Sequence, residues 1–393
     1  MEERTLRGKV AIIGVGETPY YKHGKSPDPE FVLALKAIFA ACEDAGISPK
    51  KIDSFASYSN ERSDPSRLAA ALGIPELRLS NMQWGGGGGG GAAAVGNAAA
   101  AIASGQAEVA VVYRSLAQGQ FYRFGRANVG GTVTGDGAFL NPYGIFSPAQ
   151  MFAMKAMRFM HDHGIKQEAL RAIAMASYAH AQANPRAVMH GRPLTEEAYD
   201  ASRWIAEPYH LYDCCMENDG AAALILVSAE RASDFKQAPA YILGVAQGSN
   251  YRSAARSFNA PDFHSSSFGP VAPHLWEMAK LGPADVDVVQ CYENFTGGVL
   301  MSLVEHGFVK AEEANDFLKL DNLLASTGKL PLNTSGGNLA ECYMHGLELQ
   351  IEAVRQLRGT STSQVSGAEV ATVVAGPMVT PVSTMVLGLK EVL

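Results

Sequence analysis

The chain has 393 residues, of which 47% are hydrophobic and 18% charged, with 40 glycines and a formal net charge of −7. This composition excludes a disordered, fibrous or disulfide-scaffold protein and provides no basic surface for nucleic acid. The five cysteines form no Cys-x-x-Cys pair, the first residues are too charged for a secretion signal, and no apolar run reaches about 18 residues. We therefore expect a globular cytoplasmic protein without a membrane span.

The first predicted element is a buried strand with the sequence VAIIGVG at 10–16. The following GVGETP is not a dinucleotide-binding loop, because Pro19 stands at the third glycine position and no helix follows at once. Two further segments, VAVVY at 109–113 and AALILVS at 222–228, are apolar enough to be buried on both faces of a parallel or mixed sheet.

An internal duplication organises the chain. Residues 38–60 predict a helix end, a turn and a strand, and residues 275–294 repeat this pattern at an offset of 234 residues. The matched pairs are Ala45 and Ala279, Pro49 and Pro283, Asp53 and Asp287, Tyr58 and Tyr292, and Asn60 and Asn294. SGQAEVAVV at 104–112 likewise matches SGAEVATVV at 366–374. We expect two α/β halves, residues 1–235 and 236–393, forming layered sheets covered by helices.

A long insertion at about 114–210 belongs to the first half and contains one strongly signalled helix. Ser147 is a favourable N-cap and Pro148 occupies the first helical position. The helix carries methionines at a spacing of three residues, at Met151, Met154, Met157 and Met160. These side chains either fill the core or form an adaptable wall for a bulky apolar substrate.

Seven consecutive glycines at 85–91 precede the alanine-rich segment 92–103. Glycines at the start of a helix leave backbone N–H groups accessible, and these favour an anionic oxygen. The same glycines would also allow close helix packing that excludes side chains. The two interpretations are compatible.

The chain resembles the thiolase superfamily over essentially its whole length, through VAIIGVGETPY, the duplicated halves and NDGAAALILVS at 218–228. The resemblance implies a layered αβαβα fold. It also indicates that every catalytic position of a thiolase has changed. Trp84 or Gly85 occupies the position of the nucleophilic Cys, and Tyr292 of YENF occupies that of the Asn or His. Tyr343 of GGNLAECYMHG replaces the catalytic His, and Val374 of VVAGP replaces the acid/base Cys.

These changes argue against Claisen chemistry, which needs a thiolate to hold the acyl group and a His and a Cys to move protons. Cys291 and Cys342 are each adjacent to one of the tyrosines. In a strand, their side chains would therefore face the opposite way.

One branch of the superfamily has the same pattern: the lipid-transfer-protein-like aldolases of bacterial steroid side-chain degradation. The resemblance includes YRFG at 122–125, NPYG at 141–144, SPAQ at 147–150, ENFTGG at 293–298 and ECYMHGLEL at 341–349. It implies retro-aldol cleavage of a 17-hydroxy steroid side-chain acyl-CoA thioester, a β-hydroxyacyl-CoA, to a 17-ketosteroid and propionyl-CoA.

The resemblance also implies partners and cofactors. It predicts a small OB-fold partner protein with a zinc ribbon. A homodimer is expected, and two partner chains would complete an α2β2 heterotetramer. No cofactor is expected in this chain, because CoA is part of the substrate and zinc belongs to the partner. The histidines His161, His163, His190 and His264 make no metal-binding pattern.

The expected site follows from the matched motifs. Tyr292 is assigned as the base on the substrate hydroxyl and Tyr343 as its partner or the acid, with the reverse order left open. A tyrosine pKa of about 10 would have to be lowered by neighbouring donors or positive charge. His345 either tunes the site or is structural, and Glu293 and Asn218 mainly hold its shape. Backbone N–H groups around Gly85, Gly86 and Gly376 are expected to bind the oxyanion.

Two other functions remain open from the sequence. The chain could be a thiolase or acyl-CoA acyltransferase with an unrecognised nucleophile, or a non-catalytic thiolase-like scaffold subunit. Tyrosines at both motif positions speak against the scaffold. A lipid-carrier role is weaker, because no sterol-carrier domain is appended.

Overall fold

The computed structural model describes residues 5–85, 87–120, 135–253 and 260–393. Its strands are β1 Val10–Glu17, β2 Tyr21–Lys22, β3 Ser54–Tyr58, β4 Leu79–Gln83, β5 Val109–Ala117, β6 Trp204–Ala206, β7 Tyr209–His210, β8 Asn218–Ser228, β9 Ala240–Gly248, β10 Val288–Cys291, β11 Val370–Ala375 and β12 Val382–Gly388. Its α-helices are α1 Glu30–Ala45, α2 Pro65–Leu72, α3 Gly91–Ala103, α4 Pro148–His163, α5 Gln167–Ala183, α6 Glu196–Asp200, α7 Ala272–Ala279, α8 Thr296–Glu305, α9 Ala314–Phe317, α10 Leu320–Leu323 and α11 Leu347–Leu357.

A mixed sheet runs through the molecule in the order β10-β11-β12-β9-β1-β8-β5-β3-β4, with β2 beside β8. In the first half, β1 pairs antiparallel with β8, β8 pairs antiparallel with β5, and β5 pairs parallel with β3. In the second half, β9 pairs antiparallel with β12, β12 pairs antiparallel with β11, and β11 pairs parallel with β10. The two half-sheets meet where β1 and β9 pair, at Ala11 with Tyr241 and Ile12 with Ala240. The duplication seen in the sequence is therefore also a duplication of strand topology.

The paired aspartates of the duplication have equivalent roles. The Asp53 carboxylate accepts a hydrogen bond from the backbone N–H of Val109, at 3.1 Å. Asp287 accepts one from Val370, at 2.9 Å. Asp53 therefore links the start of β3 to the start of the parallel strand β5, and Asp287 links the start of β10 to the start of the parallel strand β11. The division at residues 235 and 236 stays a prediction.

The helices form layers on both sides of the two half-sheets. Helices α3 and α11 contact strands from both halves and therefore lie between them. Helix α1 packs on β1, β8 and β5 outside the first half-sheet, and α7 packs on β9 and β12 outside the second. A shared apolar core joins the central helices to both half-sheets. This is the predicted αβαβα arrangement.

The insertion contains the predicted helix α4. The Ser147 side chain accepts from the N–H of Gln150, and the Gln150 side chain accepts in return from the N–H of Ser147. The methionines do not form one stripe, because a step of three residues falls about 60° short of a full helical turn. Met160 is buried in the core and Met151 packs against it. Met154 and Met157 instead line a separate groove of about 580 Å³.

Strand ends from both halves of the chain lie close together beside the glycine run, where Gly90 meets Tyr58 and Gly88 meets Tyr292. Strand β3, which is parallel to β5, ends at Tyr58, and the parallel strands β10 and β11 end at Cys291 and Ala375. Strand β8 begins beside the end of β5, where Ala117 pairs with Asp219. The carboxyl ends of parallel strands are the usual location of ligand sites in α/β sheets.

Across the ranges that the structure describes, no helix is long and apolar enough to span a membrane.

Candidate active site

The two motif tyrosines meet beside these strand ends. Tyr292 directly follows β10, and Tyr343 follows a π-helical turn at Gly337–Glu341. The Tyr292 hydroxyl donates a hydrogen bond to the Tyr343 hydroxyl at 2.8 Å. Tyr292 is 1% exposed and Tyr343 is 7% exposed. Two residues that are 51 positions apart in the sequence therefore share one hydrogen bond in a nearly dry environment.

Burial raises the pKa of both phenols well above the ordinary value of 10.0. For Tyr292, the proximity and the hydrogen bond of Tyr343 raise the pKa further. For Tyr343, the proximity of Cys215 adds to the effect of burial, whereas the hydrogen bond from Tyr292 lowers the pKa. The resting pair is therefore neutral, and Tyr343 is favoured over Tyr292 as the phenol that carries negative charge.

Asn218 holds the backbone at Tyr343. It is the first residue of β8, and its side-chain oxygen accepts from the backbone N–H of Tyr343 at 3.0 Å. Its amide nitrogen donates to the carbonyl of Tyr21 at 3.2 Å. The position of Tyr343 is thus tied to the central sheet.

Glu293 fixes the turn that precedes Tyr343. Its buried carboxylate accepts from the Ser177 hydroxyl at 2.7 Å and from the backbone N–H of Asn338 at 2.8 Å. Gly337 lies so close to this carboxylate, with a φ of 55°, that no side chain fits there. Burial raises the pKa of Glu293 from 4.5 to about 7.

Replacing Glu293 with Gln is expected to change the pH dependence of stability. Because the pKa of this carboxyl is higher in the folded than in the unfolded protein, its contribution to the free energy of unfolding is complete at a pH below the unfolded-state pKa of 4.5. The contribution is lost as the pH rises through the folded-state pKa of about 7. Wild type should therefore lose unfolding free energy over this interval relative to Glu293→Gln. Denaturant unfolding at several pH values measures the difference. Parallel pH curves for the two proteins would contradict the assignment.

His345 lies beside the tyrosine pair and is hydrogen-bonded to the arginine of a buried ion pair. Its ring centroid is 5.5 Å from that of Tyr343. Arg114 of β5 donates from Nε to Nδ1 of His345 at 3.2 Å, and its guanidinium forms an ion pair with Glu61 at 3.1 Å. Arg114 and Glu61 were not predicted from the sequence as site residues. The available signal was an arginine directly after VAVVY, a strand predicted to be buried on both faces. The observed strand continues through Arg114 to Ala117.

The glycine run provides close packing around Tyr292. A β-carbon at Gly88 would lie 2.7 Å from the Tyr292 hydroxyl oxygen, and Gly376 leaves no room for a side chain against the backbone of Gly89. Gly85 has a φ of 77° and lies beside Pro381. Gly86 and the YRFG motif are outside the described residues. Binding of an oxyanion by these backbone groups stays a prediction.

A cavity of about 770 Å³ opens onto the tyrosine pair through Tyr343, with Asn218 and Cys215 also in its wall. Its basic lining residues are Lys22, His23, Lys25, Arg192 and Arg203. Its apolar lining includes Ala149, Val188, Met189, Ile205, Met216 and Phe295. The cavity therefore offers both positive charge and apolar surface to a ligand.

The cysteines are not arranged as thiolase nucleophiles. Cys291 and Cys342 are fully buried and do not line this cavity. Cys342 follows the π-helical turn rather than lying in a strand. Cys215 lines the cavity, but burial raises the pKa of its thiol. A nucleophilic cysteine needs the opposite shift, because the thiolate is the reactive form.

Comparison with known proteins places this geometry in a family. Residues 249–389 match the thiolase C-terminal domain-like family. A 17-hydroxy-3-oxo-4-pregnene-20-carboxyl-CoA lyase of Mycobacterium tuberculosis is 40% identical over 392 residues, covering 98% of this chain and 100% of that protein. A steroid side-chain-cleaving aldolase of Thermomonospora curvata is 39% identical over 391 residues, covering 98% of each chain. The chain belongs to the steroid side-chain-cleaving aldolases of the thiolase superfamily.

Solved structures agree with this family. The Ltp2–ChsH2(DUF35) aldolase superposes with a TM-score of 0.91 and 38% identity, covering 98% of this chain and 99% of the other. Human mitochondrial 3-ketoacyl-CoA thiolase, at 19% identity and a TM-score of 0.69 over 98% of this chain and all of that chain, shares the fold. As a member of the aldolase family, the chain is a carbon–carbon lyase that acts by retro-aldol cleavage. The described residues contain no cluster of three His, Cys, Asp or Glu side chains that could hold a metal ion.

Proposed function

We propose that this aldolase cleaves a 17-hydroxy steroid side-chain acyl-CoA thioester to a 17-ketosteroid and propionyl-CoA, with Tyr292 and Tyr343 moving the protons. The observation that carries the proposal is the hydroxyl pair at 2.8 Å, with Tyr343 in the wall of the cavity. The name of the Mycobacterium tuberculosis relative describes a substrate of this class. Retro-aldol cleavage needs no covalent nucleophile, which agrees with the raised pKa of the Cys215 thiol.

In the proposed reaction, the substrate hydroxyl passes its proton to the Tyr343 oxygen as the ketone forms. The bond between the carbinol carbon and the α-carbon breaks, and its electron pair moves into the thioester enolate. In the same step, Tyr343 gives its own phenolic proton to the α-carbon of the developing enolate, so its oxygen never carries two protons. One proton leaves the substrate and one returns, so the tyrosine pair ends as it began.

We assign the proton exchange to Tyr343 and the supporting hydrogen bond to Tyr292, the reverse of the order first assigned from the sequence. Tyr343 lines the cavity, and Tyr292 donates to it. The burial that raises the pKa of both phenols argues against a standing tyrosinate base. A neutral Tyr343 can give up its own proton while it accepts one from the substrate.

The basic cavity residues suit the phosphates of CoA, and the apolar ones suit a steroid ring system. Replacing Arg192 or Arg203 with Gln should raise KM for the acyl-CoA about tenfold, the loss expected for one charge-assisted contact, with little change in kcat. Lys390→Gln, on the exposed C-terminal turn, is the matched control and should change neither constant. An unchanged KM in both arginine variants would contradict this binding mode.

The reaction is tested by incubating the complex with a 17-hydroxy steroid C22-oyl-CoA and identifying both products by mass spectrometry. Release of propionyl-CoA and the 17-ketone without added CoA supports the proposal. The thiolase alternative requires acetyl-CoA exchange and inactivation by iodoacetamide that Cys214→Ser or Cys215→Ser prevents, because both cysteines line the cavity. An active complex with that exchange would overturn the aldolase mechanism, and a folded complex with no turnover of this substrate would overturn the proposed substrate.

We also propose a homodimer that binds two small OB-fold, zinc-ribbon partner chains in an α2β2 complex in the cytoplasm, with zinc in the partner alone. The structural relative is an aldolase named together with ChsH2(DUF35). Strand β4 ends the sheet with Met82 exposed, and Trp84 beyond it is 87% exposed. Such an edge is suited to pairing with another chain. Light scattering and metal analysis of the co-expressed complex test the stoichiometry and the location of zinc.

A further inference from the structure

The hydrogen bond from Arg114 determines which nitrogen of His345 carries hydrogen. The Arg114 Nε–H donates to Nδ1 of His345 at 3.2 Å, and both side chains are buried. An arginine side chain has only donors and stays protonated in proteins. Nδ1 must therefore present its lone pair, and the ring hydrogen of neutral His345 must lie on Nε2.

The guanidinium is held rigidly enough to fix this tautomer. Arg114 is paired with Glu61 at 3.1 Å and donates to the side-chain oxygen of Asn60 at 2.6 Å. Glu61 in turn accepts from the backbone N–H of Ser115 at 2.7 Å. This cluster of Asn60, Glu61, Arg114 and Ser115 joins the end of β3 to β5 in the first half of the chain.

His345 itself has a constrained backbone and a defined direction. Its φ is 60°, and its carbonyl accepts from the Tyr58 hydroxyl at 3.0 Å. A β-carbon on Gly87 would lie 3.5 Å from Nε2 of His345. The next residue is Gly88, and because it has no side chain, the ring of Tyr292 can lie against it. The Nε2–H group thus lies at the glycine turn beside the tyrosine pair.

We propose that His345 is a further catalytic residue, a permanently neutral Nε2–H donor to the thioester oxygen as that oxygen becomes an enolate. This inference rests on the proposed retro-aldol function. As the carbon–carbon bond breaks, its electron pair places negative charge on the thioester oxygen, and the Nε2–H bond stays intact. A neutral imidazole stabilises that charge without transferring a proton, so protonation is directed to the α-carbon. Arg114 is then a positioning residue that sets the tautomer.

The surroundings oppose a charged imidazole. Among the residues that the structure describes, the titratable groups beside His345 include Arg114, Tyr58, Tyr292 and Tyr343, with Glu61 behind Arg114. Burial and the charge of Arg114 lower the pKa of His345 well below 6.5. A proton on Nδ1 would also face the Arg114 Nε–H directly. We expect one neutral tautomer between about pH 5 and 8, the range in which histidines ordinarily titrate.

The test compares His345→Phe with His345→Gln, whose side-chain amide keeps an N–H donor, in the co-expressed complex. We expect kcat to fall about a hundredfold or more in His345→Phe, with KM changed less than about threefold. His345→Gln should recover at least about tenfold of that loss. Full kcat in His345→Phe, or no recovery in His345→Gln, would overturn the proposal.

A second readout requires neither turnover nor a variant that folds well. Nitrogen-15 NMR of histidine-labelled wild-type complex should give one ring with hydrogen on Nε2 and no titration over the same pH range. Its resonance is assigned by its absence in His345→Gln or, if that variant does not fold, by contact with labelled arginine. An Nδ1–H tautomer or a ring that becomes charged would overturn the proposal, even if the aldolase reaction itself were established. A neutral Nε2–H ring in a complex that lacks aldolase activity would instead locate the failure in the proposed function.

Discussion

Replacing Tyr343 with Phe should lower kcat/KM for the steroid acyl-CoA by about a hundredfold or more. The substitution removes the hydroxyl that lines the cavity and keeps the ring, so packing around it should be preserved. Without that oxygen, the substrate hydroxyl has no group to accept its proton. Steady-state kinetics of the co-expressed complex, with circular dichroism to check folding, measures the loss.

Tyr292→Phe should have a smaller effect, about tenfold, because it removes one supporting hydrogen bond rather than the proton-exchanging group. Tyr241→Phe, a buried tyrosine on β9, is the matched control and should leave kcat/KM unchanged. A larger loss in Tyr292→Phe than in Tyr343→Phe would restore the order assigned from the sequence. Full activity in both variants would eliminate the tyrosine mechanism.

Gly88→Ala is expected to lower kcat at least about tenfold, the loss expected for Tyr292→Phe, although it adds only one methyl group. The β-carbon would lie 2.7 Å from the Tyr292 hydroxyl oxygen and closer still to its ring. The ring must therefore move, and the hydrogen bond to Tyr343 moves with it. Kinetics and thermal unfolding of the variant separate this displacement from a loss of fold.

Gly91→Ala is the matched control within the same glycine run. Its added β-carbon would lie 3.0 Å from the flexible end of the Gln350 side chain, which can shift. Gly91 is also the first residue of α3, where alanine is a better helix former. We expect nearly full activity in this variant. Equal losses at both positions would mean that the run tolerates no side chain for a reason unrelated to Tyr292.

Patterns local in the sequence predicted much of the fold. The duplicated motifs predicted two α/β halves, and the aspartates Asp53 and Asp287 have matching contacts. Ser147 and Pro148 correctly marked the start of α4. By contrast, α5 was missed, because its N-cap is Lys166, which makes no side-chain cap. Helix α5 matters for the site, since it carries Ser177, the hydrogen-bond donor to Glu293.

The candidate site was predicted only as far as its motifs extend. Tyr292 and Tyr343 were singled out because they occupy two catalytic positions of a related family. The link between Arg114 and His345 spans 231 residues and arises from the packing of one half of the chain on the other. No local spacing predicts such a contact. The neutral state of the tyrosine pair likewise depends on burial, which the sequence alone does not provide.

The most direct test of the mechanism is to run the reaction in deuterium oxide without free CoA and to analyse the propionyl-CoA by mass spectrometry. The mechanism predicts a single deuterium at the α-carbon, delivered from the exchanged hydroxyl of Tyr343 to the enolate. It also predicts that Tyr343→Phe slows formation of this product by about a hundredfold or more. Propionyl-CoA without deuterium, or cleavage that depends on added CoA, would contradict retro-aldol cleavage by the tyrosine pair.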